Sequence, residues 1–73
     1  MGEYMKINGE AFQKARENQL LSTIGLAKMA DVSPNVIRSL EQGHNIRPES
    51  IRKIIEALGL TIEDAQKNGL IKT

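Results

Sequence analysis

The sequence predicts an all-α domain of five helices, and three observations support this prediction. No segment alternates apolar and polar residues for long with the two-residue period of a strand, and β-branched residues recur at helical spacing. At five places an apolar residue is followed five positions later by another, which is the spacing of a hydrophobic staple across a helix start. The residue after the first member of each pair is then the expected N-cap, and four of the five are good caps. The pairs are Ile7/Phe12, Leu21/Leu26, Val32/Ile37, Ile46/Ile51 and Leu60/Ala65.

The expected N-caps give the helices in order. They are Asn8, Ser22, Ser33, Arg47 and Thr61, and they predict helices at about 8–19, 22–30, 33–42, 47–58 and 61–68. Glycine is common just past a helix end, so Gly43, Gly59 and Gly69 are expected to end the last three helices. The helical domain is thus expected at 7–69, between a flexible N-terminal segment, 1–6, and a C-terminal tail, 70–73, whose ends fray.

Two junctions between these helices are unusual. Only Asp31 and Val32 separate the second and third helices, and so short a turn brings them together at a steep angle, as in a helix-turn-helix. The fourth helix begins at Arg47, whose side chain has no acceptor for the free N–H groups of the first turn. An anion such as phosphate would satisfy those donors. Water or the Ser50 hydroxyl would also satisfy them, and Pro48 removes one donor, so the residues alone leave both interpretations open.

Composition excludes several classes of protein. The chain has 73 residues, 40% hydrophobic and 26% charged, which suits one soluble globular domain. The absence of cysteine excludes disulfides, thiolate nucleophiles and thiolate metal ligands. No apolar stretch approaches the ~20 residues of a membrane span and no signal peptide is visible, so we expect a cytoplasmic protein. The lone histidine cannot form a metal site, and we find no catalytic constellation, so neither an enzyme nor a cofactor is expected.

Several stretches carry a resemblance to a known family. They are Phe12-x2-Ala15-Arg16, Leu21-Ser22-x3-Leu26-Ala27, Val32-Ser33-x3-Ile37-x2-Leu40-Glu41-Gln42-Gly43, Arg47-Pro48 and Ile51-x2-Ile54-x3-Leu58. In this order and with these gaps, the span from Phe12 to Ala65 resembles the Cro/C1-type helix-turn-helix domain, the XRE family of phage repressors and bacterial regulators. The resemblance implies a compact five-helix bundle, with the second helix on the DNA backbone and the third in the major groove.

The resemblance also implies roles for polar side chains on and around the third helix. Base reading is implied for Pro34, Asn35, Arg38 and Ser39. Of these, Pro34 is limited to van der Waals contact, and Arg38 is able to reach guanine or phosphate. Phosphate contacts are implied for Ser22, Thr23, Gln42, His44, Asn45 and Arg47. In the family, an arginine of the first helix pairs with a glutamate of the third, which implies a structural ion pair between Arg16 and Glu41.

Three residues depart from the usual pattern of the family. Asp31 and Leu20 stand where glycine is common, although Asp tolerates left-handed backbone better than most residues. Gly25 lies inside the second helix, where it costs about 1 kcal/mol relative to alanine. These features indicate a domain of modest stability with a loose second helix.

The function that we predict is sequence-specific binding of double-stranded DNA by a transcription regulator, a repressor or Cro-like protein of a phage or mobile element. One reading helix covers few base pairs, so a homodimer on a two-fold operator is expected, with no small-molecule ligand. The fifth helix and the tail, through Ile62, Leu70 and Ile71, are the expected dimer interface.

The alternative function is that of a protein-interaction module, antirepressor or antitoxin-like, which reuses the same fold. The net charge of +1 supports this alternative to some extent. The position of the basic residues discriminates between the two functions. Lys28, Arg38, Arg47 and Arg52 around the outward face of the third helix would favour DNA.

Overall fold

Five helices in series form the framework of the structure, a computed structural model that describes residues 6–72. They are α1 (Gly9–Asn18), α2 (Thr23–Ala30), α3 (Pro34–Glu41), α4 (Pro48–Ala57) and α5 (Ile62–Lys67). Two short strands, β1 (Lys6–Ile7) and β2 (Ile71–Lys72), pair antiparallel at the ends of this series. The prediction of a five-helix, helix-turn-helix fold is confirmed, and none of the helices within residues 6–72 is long and apolar enough to cross a membrane.

All five predicted N-caps are N-caps in the structure. Four of them accept a hydrogen bond from a first-turn backbone N–H, which satisfies one of the donors that a helix start leaves free. The pairs are Asn8 with Ala11, Ser22 with Gly25, Ser33 with Val36 and Thr61 with Asp64, at 3.2, 2.9, 3.4 and 3.0 Å. The fifth N-cap, Arg47, makes no side-chain capping bond, as its chemistry predicts.

One or two positions after the end of each helix lies a residue with left-handed backbone. The N–H of the residue that follows it donates to the carbonyl five positions earlier. This is the Schellman arrangement, which satisfies carbonyls that a helix end leaves free. The left-handed residues are Leu20, Asp31, Gly43, Gly59 and Gly69, with φ of 58°, 58°, 87°, 79° and 77°. The three glycine ends are confirmed, and the left-handed geometry expected of Asp31 is present.

The staple residues build the core. The second member of each pair is buried, and the first member lies half-buried against the same cluster. The buried core consists of Phe12, Leu26, Ala27, Ala30, Ile37, Leu40, Ile51, Ile54, Ile55, Leu58, Ala65, Leu70 and Ile71. Around it α2 packs on both α3 and α4, α1 packs on α3, and α5 packs on α4 and β2. Burial of this apolar cluster holds short helices that would be marginal alone.

The two chain ends differ from the prediction that they fray and contain no strand. Ile7 pairs with Ile71, and the Asn8 N–H donates to the Leu70 carbonyl at 2.8 Å. Leu70 and Ile71 are 2% and 1% exposed, so they complete the core of their own chain. Two-residue strands are too short to show an alternating pattern, which is why no periodic signal marks them in the sequence. Residues 1–5 and 73 of the predicted flexible ends lie outside the described residues.

The burial of the tail also corrects the expected dimer interface. Because Leu70 and Ile71 already pack inside one chain, they are not available to a second copy. Ile62 is half-buried and packs against the same core. The apolar character of these three residues, which suggested an interface between subunits, is explained by packing within the subunit.

Candidate nucleic-acid interface

The outward face of α3, made of Asn35, Arg38, Ser39 and Gln42, is the centre of the candidate interface. At about 100° per residue, these four positions fall within roughly 100° of the helix circumference. Asn35, Arg38 and Gln42 are exposed and Ser39 is half-buried. Ile37 and Leu40 project to the opposite side, where both are buried. The helix therefore has one face fixed in the core and a polar face turned to solvent.

Two of these side chains, Asn35 and Arg38, are joined by a hydrogen bond. The Nη1 group of Arg38 donates to Oδ1 of Asn35 at 3.0 Å, one helical turn apart. The family resemblance implied base reading for both residues, but the sequence analysis did not predict this bond. The i, i+3 spacing of an amide and a guanidinium was the available signal.

The other predicted base-reading residue, Pro34, lies at the first helical position of α3 and is half-buried. Its ring carries no hydrogen-bonding group, so this site offers only an apolar contact. The preceding helix begins at Ser22, which is exposed, followed by the half-buried Thr23. The Ser22 oxygen accepts the Gly25 N–H, which leaves the hydroxyl proton free to donate to an anion.

The loop that leads from α3 to α4 is polar and open to solvent. Gln42, His44, Asn45 and Arg47 are all exposed there. At the start of α4 the Ser50 and Ile51 N–H groups both donate to the Arg47 carbonyl, at 2.9 and 3.1 Å.

These bonds leave fewer free donors at the start of α4 than the sequence suggested. Pro48 has no N–H, so Glu49 carries the one first-turn N–H that lacks a partner within residues 6–72. The side chain of Glu49 is itself acidic and exposed. The Ser50 hydroxyl, which was an alternative cap, makes no capping bond in this part of the chain. Attraction of an anion to this helix start therefore depends chiefly on the charge of Arg47.

The ion pair implied between Arg16 and Glu41 is present and joins α1 to the end of α3. Arg16 Nε donates to Glu41 Oε2 at 2.7 Å and Nη2 donates to Oε1 at 3.1 Å, a bidentate arrangement. The remaining nitrogen of the Arg16 guanidinium, Nη1, donates to the Leu21 carbonyl at 2.9 Å. Both charged side chains are only 12% exposed. The hydrogen bonds to Glu41 raise the pKa of Arg16 above its ordinary value, against the opposing effect of burial.

Gly9 makes a second link between α1 and α3, and sequence reasoning missed it. A Cβ atom at this position would overlap the carbonyl oxygen of Glu41 and lie 2.8 Å from that of Leu40. The first turn of α1 thus runs directly against the last turn of α3. A glycine in a first turn has no distinctive pattern, so no signal in one sequence identifies this close approach.

A further link joins α1 to α4. The Nε2 group of Gln19 donates to the carbonyl of Leu58 at 2.7 Å, and Leu58 is the C-cap of α4. The bond satisfies a carbonyl that the helix end leaves free. These residues are far apart in the sequence, and nothing in the sequence indicated the contact.

The four basic residues expected to favour DNA lie on successive elements of the chain. Lys28 is in the last turn of α2, Arg38 is on α3, Arg47 ends the following loop and Arg52 is on α4. All four are exposed, and within the described chain none forms a salt bridge with a carboxylate. The charges are therefore available to an external anion.

Comparisons with known proteins agree with this geometry. A helix-turn-helix family model (HTH_3) matches residues 12–64, which confirms the resemblance seen in the sequence. No curated protein matches the chain significantly. Among solved structures it is similar to the clp gene regulator ClgR from Corynebacterium glutamicum, with 26% sequence identity and a TM-score of 0.74. That match covers 84% of this chain and 66% of the ClgR chain, slightly under two thirds.

Two other solved structures share the fold at lower identity. The transcriptional regulator VanUg is 17% identical with a TM-score of 0.67, over 97% of this chain and 88% of that chain. Apo-HppE is 21% identical with a TM-score of 0.64, over 77% of this chain and 32% of that chain. Similarity at this level of identity extends to the arrangement of helices and no further.

Proposed function

We propose that this chain recognises a specific sequence in double-stranded DNA through α3. The chain belongs to the helix-turn-helix family. It is thus a DNA-binding regulator rather than an enzyme. In kind it is a repressor or Cro-like protein of a phage or mobile element, acting in the cytoplasm. Since one reading helix spans only a few base pairs, two copies bind a two-fold operator.

The observation that carries this proposal is the chemistry of the outward face of α3. A face that served only solubility would carry glutamate and lysine, whereas this face carries Asn35, Arg38, Ser39 and Gln42. These side chains donate and accept directional hydrogen bonds, which is what base edges in the major groove require. Glu41, the nearby carboxylate that would repel DNA, is neutralised by Arg16. The proposed base-reading set is therefore Asn35, Arg38 and Ser39, with an apolar contact from Pro34.

Polar groups on both sides of α3 support contacts with the phosphate backbone. Ser22 and Thr23 lie at the start of α2, and the exposed loop after α3 carries Gln42, His44, Asn45 and Arg47. Hydroxyl, amide and cationic side chains of this kind donate to phosphate oxygens and position the reading helix without reading the sequence.

The salt dependence of binding tests this function. For about six to ten phosphate contacts per dimer, affinity for duplex DNA is expected to fall ~10³-fold or more between 50 and 200 mM salt. Arg47→Ala removes one phosphate contact in each subunit, so it is expected to weaken binding to all sequences similarly and to reduce the salt slope by about one per subunit. Lys67→Ala is the matched control, because it removes the same charge from α5, outside the proposed interface. A flat salt response, or no preference among duplexes selected from random DNA, would contradict the proposal.

A second function, binding a protein partner, is favoured by exposed apolar residues and by the net charge of +1. Leu20 is 94% exposed, and Ile24 and Met29 are each 55% exposed. Isolated apolar residues on a surface are common, so this observation is weaker than the polar face of α3. Absence of DNA binding in the salt experiment would support this antirepressor-like or antitoxin-like role.

A further inference from the structure

Asn35 and Arg38 form a hydrogen-bonded pair at the centre of the surface proposed to read DNA. The Arg38 Nη1 group donates to Asn35 Oδ1 at 3.0 Å, and both side chains are exposed on the outward face of α3. Within residues 6–72 the Arg38 guanidinium makes no salt bridge. The pair is therefore free to meet a ligand as one unit, with its internal bond already formed.

The internal bond changes what the amide can recognise. A free asparagine reads adenine in the major groove by donating to N7 and accepting from the N6 amino group at the same time. In this pair the acceptor, Oδ1, is already engaged by a cationic donor. Its remaining lone pair lies beside the guanidinium charge, which opposes the approach of the amino groups of adenine and cytosine.

The groups that remain are almost all donors. The amide nitrogen of Asn35 has two N–H groups, and the guanidinium of Arg38 has four left of its five. Guanine presents two acceptors in the major groove, N7 and O6, and no donor. A cationic unit rich in donors is complementary to that edge in both hydrogen bonding and charge.

We propose, on the basis of the DNA binding proposed above, that Asn35 and Arg38 act as one recognition unit that selects guanine. Arg38 has two roles in this unit. It donates hydrogen bonds itself, and as a positioning residue it occupies the Asn35 oxygen so that the amide does not read adenine. The base preference of Asn35 thus depends on its neighbour one turn along the helix.

Removal of Arg38 tests the positioning role, because that role predicts a change of base preference rather than a simple loss of binding. In Arg38→Ala the Asn35 oxygen is free, so the amide regains its complementarity to adenine. We expect the preferred base at the position read by Asn35 to change from guanine to adenine. The wild-type preference for guanine there is expected to be about 5- to 150-fold, the range of a good bidentate contact. Arg38→Lys keeps a cationic donor and is expected to retain guanine.

The experiment is selection of bound duplexes from random DNA by the full chain and its variants. Asn35→Ala identifies the base pair that Asn35 reads, as the position at which the preference for guanine weakens most. Lys67→Ala is the matched control, because it removes an exposed cationic side chain from α5, outside the proposed interface, and leaves the pair intact. Thermal unfolding of each variant verifies that the fold is kept, which is expected because both side chains are exposed.

Each result either supports or overturns the proposal that Asn35 and Arg38 act as one recognition unit. A change from guanine to adenine in Arg38→Ala at the position that Asn35 reads, with guanine retained in Arg38→Lys, supports it. Selection of adenine at that position by the wild type overturns it. The proposal is also overturned if Asn35→Ala and Arg38→Ala change the preference at different base pairs, independently of each other. If the wild type selects no sequence at all, the proposed function fails and this inference fails with it.

Discussion

The carboxylate of Glu41 is held by two hydrogen bonds from the guanidinium of Arg16, across the contact between α1 and α3. The bond from Nε is 2.7 Å and that from Nη2 is 3.1 Å. Glu41 is the last residue of α3, so this pair fixes the end of the proposed reading helix to the rest of the bundle.

A double-mutant cycle on this pair is expected to show strong coupling. Glu41→Ala leaves a guanidinium that is only 12% exposed without its partner. Such a change costs about 3 kcal/mol, the lower end of the range for buried pairs. Replacement of both residues, Arg16→Met with Glu41→Leu, is expected to cost much less, because no unpaired charge is left. Urea unfolding of the wild type, the two single variants and the double variant measures the coupling. Independent, additive effects would mean that each side chain is solvated on its own.

Leu20→Gly is expected to stabilise the protein by about 0.5–1 kcal/mol. Leu20 adopts left-handed backbone with φ of 58°, and its side chain is 94% exposed, so burial does not compensate for that geometry. Relief of the left-handed geometry, about 1–2 kcal/mol, exceeds the extra chain entropy of glycine in the unfolded state. Thermal unfolding measures the change.

Gly59→Ala is the mirror control for this prediction. Gly59 has φ of 79° and no heavy atom within 4 Å of the position of a Cβ, so the substitution tests backbone geometry alone. It is expected to destabilise by about 1 kcal/mol. Destabilisation by Leu20→Gly would show that the exposed leucine makes a contribution other than its backbone geometry.

Gly9→Ala is expected to destabilise the fold by about 2–3 kcal/mol or more. The new methyl group would overlap the carbonyl oxygen of Glu41, and backbone atoms cannot move aside without separating α1 from α3. Gly25→Ala is the same chemical change in α2, where the nearest atom is the flexible Ser22 Oγ at 3.1 Å. Its effect is expected to stay within about 1 kcal/mol, since the higher helix propensity of alanine offsets the contact. Equal effects of the two substitutions on urea unfolding would contradict the close approach at Gly9.

Acid is expected to weaken the cap of α5. Asp64 accepts a hydrogen bond from the Thr61 N–H at 3.1 Å, and this bond lowers the pKa of Asp64 below its ordinary value of 3.8. A carboxylate with a lowered pKa in the folded state stabilises the fold above its ordinary pKa. That stability is lost as pH falls through the lowered value.

The wild type is therefore expected to lose stability from about pH 4 downward, and Asp64→Asn is expected to lose less over the same interval. Unfolding measured as a function of pH tests this. Glu63→Gln is the matched control, because Glu63 lies in the same first turn but is not the residue that forms the capping box. An identical acid response of the wild type and Asp64→Asn would show that the cap contributes nothing to the pH dependence.

Much of the fold was determined by signals that act within a few residues of each other. A cap and its N–H donor are three positions apart, as in Ser33 and Val36. A staple spans five positions, as in Val32 and Ile37, and a left-handed end depends mainly on one residue, such as Gly43. Interactions over so few positions depend on the local order of residue types. The five helix starts and the short turn between α2 and α3 could therefore be predicted. The Arg16–Glu41 pair is distant in sequence, and the family resemblance supplied it.

Only the tertiary structure decided the contacts between segments that are distant in sequence. The pairing of Ile7 with Ile71, the approach of Gly9 to Glu41 and the bond from Gln19 to the Leu58 carbonyl all depend on how the helices pack. A two-residue strand is too short to show a period. The presence of a glycine or a glutamine in the sequence does not indicate whether a distant backbone lies against it. For this reason the apolar tail could be taken for a surface between subunits until the packing of one chain showed that Leu70 and Ile71 fill its own core.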